Sequence, residues 1–184
     1  MSKSSPLPSL SGQKSHGTVP LGLNITINRC FRAVADAGAA KLVRLPTNGS
    51  VALRNAIRDK FSRENGLDYN LNQIVVSSGA KQIIFNAMMA TLDPGDEVIL
   101  PAPYWPSYPD IVRFAGGTSV FVSCPSEHGF HLRPEDLARA ITPRTKWVFL
   151  NSPSNPSGAV YDADALRGLA DVLLDHPHVW VLSD

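Results

Sequence analysis

The chain has 184 residues, 43% of them hydrophobic, which is enough for one buried core of ordinary size and short for two domains. Its 17 basic and 16 acidic residues leave a formal net charge of +1, which offers no broad field to nucleic acid or anionic lipid and favours a small-molecule partner. No run approaches the roughly 20 apolar residues that span a bilayer, and the N-terminus lacks the apolar core of a secretory signal. Cys30 and Cys124 form no metal-like spacing, so free thiols in a reducing cytoplasm are expected.

Met1 to Gly22 is rich in Ser, Pro, Gly and Lys without a hydrophobic period and reads as a mobile lead-in. A short helix is expected over Asn28 to Ala40. Turn residues at Pro46-Thr47-Asn48-Gly49-Ser50 precede a helix from Val51 to Asn65, whose Ala52, Leu53, Ala56, Ile57 and Phe61 form one apolar stripe, and Gly66 ends it. A repeating grammar follows. Strand Ile74 to Val76, helix Lys81 to Leu92, strand Val98 to Leu100, helix Tyr108 to Ala115 and strand Ser119 to Val122 come first. Helix Pro134 to Ala140, strand Lys146 to Leu150, helix Asp162 to Asp175 and strand Val179 to Leu182 complete it. Strands alternating with helices predict an α/β fold, a mainly parallel sheet with helices on both faces. Ile74, Val75, Val98, Ile99, Val148, Phe149, Val179 and Val181 are its expected core.

Ligands in open parallel sheets gather beyond the carboxyl ends of the strands, which singles out four segments. Ser77 to Gln82 joins a strand to a helix through small residues, so that first-turn N–H groups and the helix dipole suit a phosphate, although Gly and Ser are common in any such turn. Pro101 to Pro109 carries three aromatic rings among four prolines; Trp105 is the candidate to stack on a planar heterocycle, and the same rings would serve to cover the sheet end. Asn155, between Pro153 and Pro156, offers a neutral amide to a phenolate oxygen, or simply makes a turn. Asp184 is a carboxylate at the end of an expected core strand, where it needs a cationic partner such as a pyridinium nitrogen or a salt bridge. A nucleotide-binding domain is disfavoured, since neither G-x-G-x-x-G nor G-x-x-x-x-G-K-[ST] occurs.

Taken together, Pro46-Thr47-Asn48-Gly49 with Leu53-Arg54, Ser78-Gly79-Ala80-Lys81-Gln82, Asp93-Pro94-Gly95-Asp96-Glu97-Val98, Pro103-Tyr104-Trp105, Asn151-Ser152-Pro153-Ser154-Asn155-Pro156-Ser157-Gly158 and Ser183-Asp184 resemble, in order and spacing, the class I/II aminotransferases of fold type I, close to their bacterial aspartate branch. The resemblance implies a pyridoxal 5'-phosphate cofactor, with Gly79, Ala80 and Lys81 on its phosphate, Trp105 on its ring, Asn155 on its phenolic oxygen and Asp184 on its ring nitrogen. An amino acid and a 2-oxo acid would be the small-molecule partners, and the family is homodimeric with sites at the subunit interface. It divides the chain into a divergent or flexible segment, 1–45, and part of a cofactor-binding large domain, 46–184. Arg44 stands where the family usually carries a Tyr. The Schiff-base lysine lies beyond the position of Asp184 in the family, so no catalytic residue is assigned and the chain alone is expected to be catalytically incompetent. The alternative is a non-enzymatic remnant of an interrupted aminotransferase gene.

Overall fold

The computed structural model describes residues 47–184, so the lead-in, the Asn28 to Ala40 helix, Cys30, Arg44 and Pro46 lie outside the described residues. The first helix, α1 (Val51–Lys60), starts where the Ser50 hydroxyl accepts the Leu53 N–H at 3.2 Å, satisfying one orphan donor of the first turn. It continues as a π-helical turn, Phe61–Asn65, which closes at Gly66. The stripe expected along it is only partly buried. Phe61 is buried and Leu53 and Ile57 are half-buried, whereas Ala52 and Ala56 face outward. Periodicity gives a helix its apolar face, but burial needs a neighbour, and among the described residues α1 leans chiefly on the short 3-10 turn Leu71–Gln73, where the Arg54 guanidinium donates to the Leu71 carbonyl.

The expected strand at Ile74 to Val76 does not form. The Val76 N–H donates to the Asn48 carbonyl at 3.0 Å instead of entering a ladder, and Val75 is exposed. A strand is a pairing, and the apolar triplet alone cannot supply its partner. This contact does fix the preceding turn, because a Cβ on Gly49 would lie 2.7 Å from that of Val76.

From residue 80 the alternation holds: α2 (Ala80–Thr91), β1 (Glu97–Ala102), α3 (Ser107–Phe114), β2 (Thr118–Ser123), α4 (Pro134–Ala140), β3 (Thr145–Leu150), α5 (Ala163–Leu174) and β4 (Trp180–Ser183). The four strands form one parallel sheet in the order β2-β1-β3-β4. Side chains alternate across it. Val98, Leu100, Trp147, Phe149 and Leu182 pack with Ile84 and Met88 of α2 and Ile111 and Val112 of α3. Ile99 and Val148 face the other way, onto Leu137 of α4 and Leu169 of α5. Helices therefore cover both faces, as the near-continuous apolar strands require. Of the expected core, Val181 is only half-buried, since β4 has a neighbouring strand on one side alone.

Glu97 is the one buried carboxylate of the described residues, at the amino end of β1. The Arg144 guanidinium donates two bonds to it, at 2.6 and 3.0 Å, and the Thr142 hydroxyl donates a third. These bonds hold its pKa below the ordinary carboxylate range, with the Thr142 bond the larger cause. The charge is therefore satisfied within the scaffold.

Leu137 of α4 is fully buried against the sheet. Leu137→Ala is expected to cost about 2–5 kcal/mol in urea unfolding, against about 0.5 kcal/mol or less for the exposed Leu174→Ala.

Candidate functional site

The strand order locates the site. From β1 the chain leaves through α3 on one face of the sheet to reach β2, while from neighbouring β3 it leaves through α5 on the opposite face to reach β4. The two departing connections diverge and open a crevice beyond the carboxyl ends of β1 and β3. Pro103, Tyr104 and Tyr108 line one wall, and Asn151, Ser154 and Asn155 the other.

The hydroxyl of the lining residue Tyr108 donates to Oδ2 of Asp184, which follows β4. Asp184 is positioned by the sheet: its N–H donates to the Leu150 carbonyl at 2.9 Å, and its own carbonyl accepts the Ser152 N–H at 3.3 Å. Tyr108 is buried, with its ring edge-on to both Trp105 and Phe149 at centroid distances of 5.3 and 5.1 Å. Burial pushes its pKa up, the bond to Asp184 and that carboxylate's charge push it further, and the Asn151 side chain offsets a little of this. Tyr108 is thus a neutral donor through the physiological range. No cation pairs with Asp184 among the described residues, in contrast to Glu97.

Trp105, half-buried, links this centre to the start of α2, for the Lys81 ammonium lies 4.7 Å from the centroid of its ring. At that helix start Gly79 adopts φ 121° and ψ 159°, a backbone region reserved for glycine, and a Cβ there would project into open space. The N–H groups of Gly79, Ala80 and Lys81 have no backbone partner among the described residues. The structure therefore places Lys81, Trp105 and Asp184 in one chain of contacts through Tyr108, with Asn155 on the opposite wall, where its side chain is exposed.

Sequence reasoning assigned no role to Tyr108, Asn151 or Gln82. Tyr108 stood in the aromatic loop, but its partner is 76 residues away and nothing local announces the pairing. Among the described residues no group of His, Cys, Asp and Glu could hold a metal, and no helix is long and apolar enough to cross a membrane. Cys124 is a free, buried thiol whose pKa burial pushes up to about 11.

A parallel sheet covered on both faces, with polar and aromatic side chains converging at its switch point, defines an α/β protein whose candidate ligand site lies beyond its strand ends. Residues 19–184 match the family model for aminotransferase class I and II, and the chain belongs to that family. The match starts upstream of Pro46, where the recognisable motifs begin. The aspartate aminotransferase of Rhizobium meliloti is 56% identical over 156 residues, which are 83% of this chain and 38% of the relative. The probable aspartate/prephenate aminotransferase of Rhizobium leguminosarum bv. phaseoli is 59% identical over 76% of this chain and 35% of its own length. The chain thus spans well under half the length of these relatives. Among solved structures, the Rhizobium meliloti aspartate aminotransferase superposes with a TM-score of 0.78 at 51% identity, covering 89% of this chain and 43% of that one. The Thermus thermophilus enzyme with maleate gives 0.75 at 47%, covering 84% and 40%.

The raised pKa of Tyr108 has a consequence for stability. Its protonated form is favoured by folding, so that contribution is complete below the unfolded tyrosine pKa of about 10 and is lost as pH rises above it. Tyr108→Phe is expected to flatten the fall in unfolding free energy between about pH 10 and 12, measured by denaturant titration with the phenolate band as a second probe.

Proposed function

We propose that this chain supplies the non-covalent part of a pyridoxal-phosphate site in an aminotransferase that moves an amino group from an amino acid, aspartate in the favoured reading, to a 2-oxo acid. The observation that carries this is Asp184: a half-buried carboxylate at the carboxyl end of β4, held by the neutral hydroxyl of the crevice residue Tyr108 and left without a cation among the described residues. Such a group suits a protonated ring nitrogen, because a cation there would stabilise a charge that Tyr108 only orients. The donor set around it is consistent with the rest of the cofactor. The N–H groups of Gly79, Ala80 and Lys81, without a backbone partner among the described residues, suit a phosphate, the Trp105 ring a planar heterocycle, and the Asn155 amide a phenolic oxygen.

When bound, the cofactor supplies an electron-poor ring that accepts the electrons released as the substrate loses its α-proton. Asp184, oriented by the Tyr108 hydroxyl, would hold the positive charge of the ring nitrogen. Trp105 would offer a face for the ring to stack on, and the N–H groups at the start of α2 would hold the anionic group. The names of the relatives, aspartate and aspartate/prephenate aminotransferases, and the maleate bound by the Thermus enzyme, support an acidic amino acid as donor.

Binding and orientation are not turnover. Lys60 pairs with Glu64 at 3.3 Å, and Lys146 lies 4.0 Å from Asp96 at the far end of β1. Lys81 rests on Trp105 as part of the phosphate turn. None of these described lysines is placed to bond the cofactor or to carry the α-proton, which favours catalytic incompetence of the chain on its own and, as a second reading, a non-enzymatic remnant.

Titration of the purified chain with pyridoxal phosphate, followed by borohydride, tests both readings. Reversible binding that Asp184→Ala weakens about tenfold or more, with no cofactor fixed to protein, is the expected result. Fixation at Lys81 together with aspartate-dependent conversion of the bound cofactor would overturn the incompetence, and absence of any binding would overturn the site.

A further inference from the structure

Gln82 sits on the first turn of α2, and its side-chain Oε1 accepts two hydrogen bonds, from the Ser77 hydroxyl at 2.7 Å and from the Ser78 N–H at 3.0 Å. The second bond fixes which way the amide points, since a backbone N–H can only donate and must face the oxygen. The segment that turns into α2 is therefore braced from the helix it opens. Within the reading of this turn as the phosphate seat, on which the inference rests, we propose that Gln82 is a positioning residue for the phosphate group: it holds residues 77–79 so that the N–H groups of Gly79, Ala80 and Lys81 stay presented, and it withdraws the Ser78 N–H from the ligand.

Three physical points support this role. Gly79 has the widest backbone freedom of any residue type, so its φ of 121° needs an external constraint if it is to persist in the free protein. The Ser77 and Ser78 bonds supply that constraint from outside the anion's own contacts, and a turn ordered beforehand spares the ligand the entropy of ordering it. The brace is also uncharged. A carboxylate in its place would accept both bonds but would set a negative charge beside an anion seat, which favours glutamine over glutamate.

The two roles of the side chain, acceptor and neutral group, can be separated by substitution. Gln82→Met keeps the length and removes the acceptor, whereas Gln82→Glu keeps the acceptor and adds charge. The full chain and both variants would be titrated with pyridoxal phosphate and with pyridoxal, which lacks the phosphate, and amide hydrogen exchange would be followed at Ser78.

The wild-type chain is expected to prefer the phosphorylated ligand. Gln82→Met should narrow that preference roughly fivefold to tenfold, the size of a lost hydrogen-bond pair, with pyridoxal affinity unchanged and Ser78 exchanging faster. Gln82→Glu should narrow it too, but with Ser78 still protected and with the loss shrinking as salt is added. Should Gln82→Met fail to fold, Ser77→Ala removes one of the two bonds and should give a smaller narrowing of the same kind. A full wild-type preference in Gln82→Met or Ser77→Ala, with Ser78 deprotected in the former, would overturn the positioning role and leave the phosphate seat standing. A wild-type chain with no preference for the phosphorylated ligand would instead overturn the seat, and the role with it.

Discussion

Parallel strands cannot be joined by a hairpin, so every connection among β1, β2, β3 and β4 must cross a face of the sheet, and each crossing is a helix that has to bury its apolar side there. With strand order β2-β1-β3-β4, the crossings that leave β1 and β3 take opposite faces. The crevice between those two strand ends is a consequence of this constraint, and it spreads apart the segment running from Pro103 into the start of α3, with Trp105 and Tyr108, and the loop after β3, with Asn151 and Asn155. What gathers at the site is decided first by topology and only then by side chains.

The two ends of the sheet treat charge differently. At the amino end Glu97 is answered by Arg144 and Thr142, so the group is finished within the fold and serves to pin β1 to the segment before β3. At the carboxyl end Asp184 receives a neutral hydroxyl and no cation among the described residues. Tyr108 pays for its burial by packing edge-on against Trp105 and Phe149, which ties the carboxylate's orientation to the sheet core. A carboxylate oriented but not neutralised is chemically a receptor for a positive group, whereas Glu97 is a structural link.

Much of the fold was legible because buried parallel strands announce themselves: Val98-Ile99-Leu100, Trp147-Val148-Phe149 and Val181-Leu182 are short apolar runs between turn signals, and Pro134 and Asp162 mark helix starts. Ile74 to Val76 carries the same signal and forms no strand, because its amide goes to Asn48 and pairing depends on a neighbour the run itself cannot name. Likewise α1 has the periodicity of a packed helix but buries little apart from Phe61. In both cases the local pattern is present and the described residues supply no tertiary partner for it.

By itself the sequence determined the alternation of elements and the parallel sheet, which follow from local periodicity, and it carried the motifs whose resemblance to the family the comparisons bear out. It also marked Trp105, Asn155 and Asp184 as candidates, as residues of the right chemistry at strand ends. Only the tertiary structure decided that Tyr108 holds Asp184, that Lys81 lies on Trp105, and that Glu97 is answered by Arg144. Those pairs join residues 76, 24 and 47 positions apart, and a hydrogen bond or a ring contact across such a separation depends on how the sheet brings distant loops together, for which a linear pattern carries no signal.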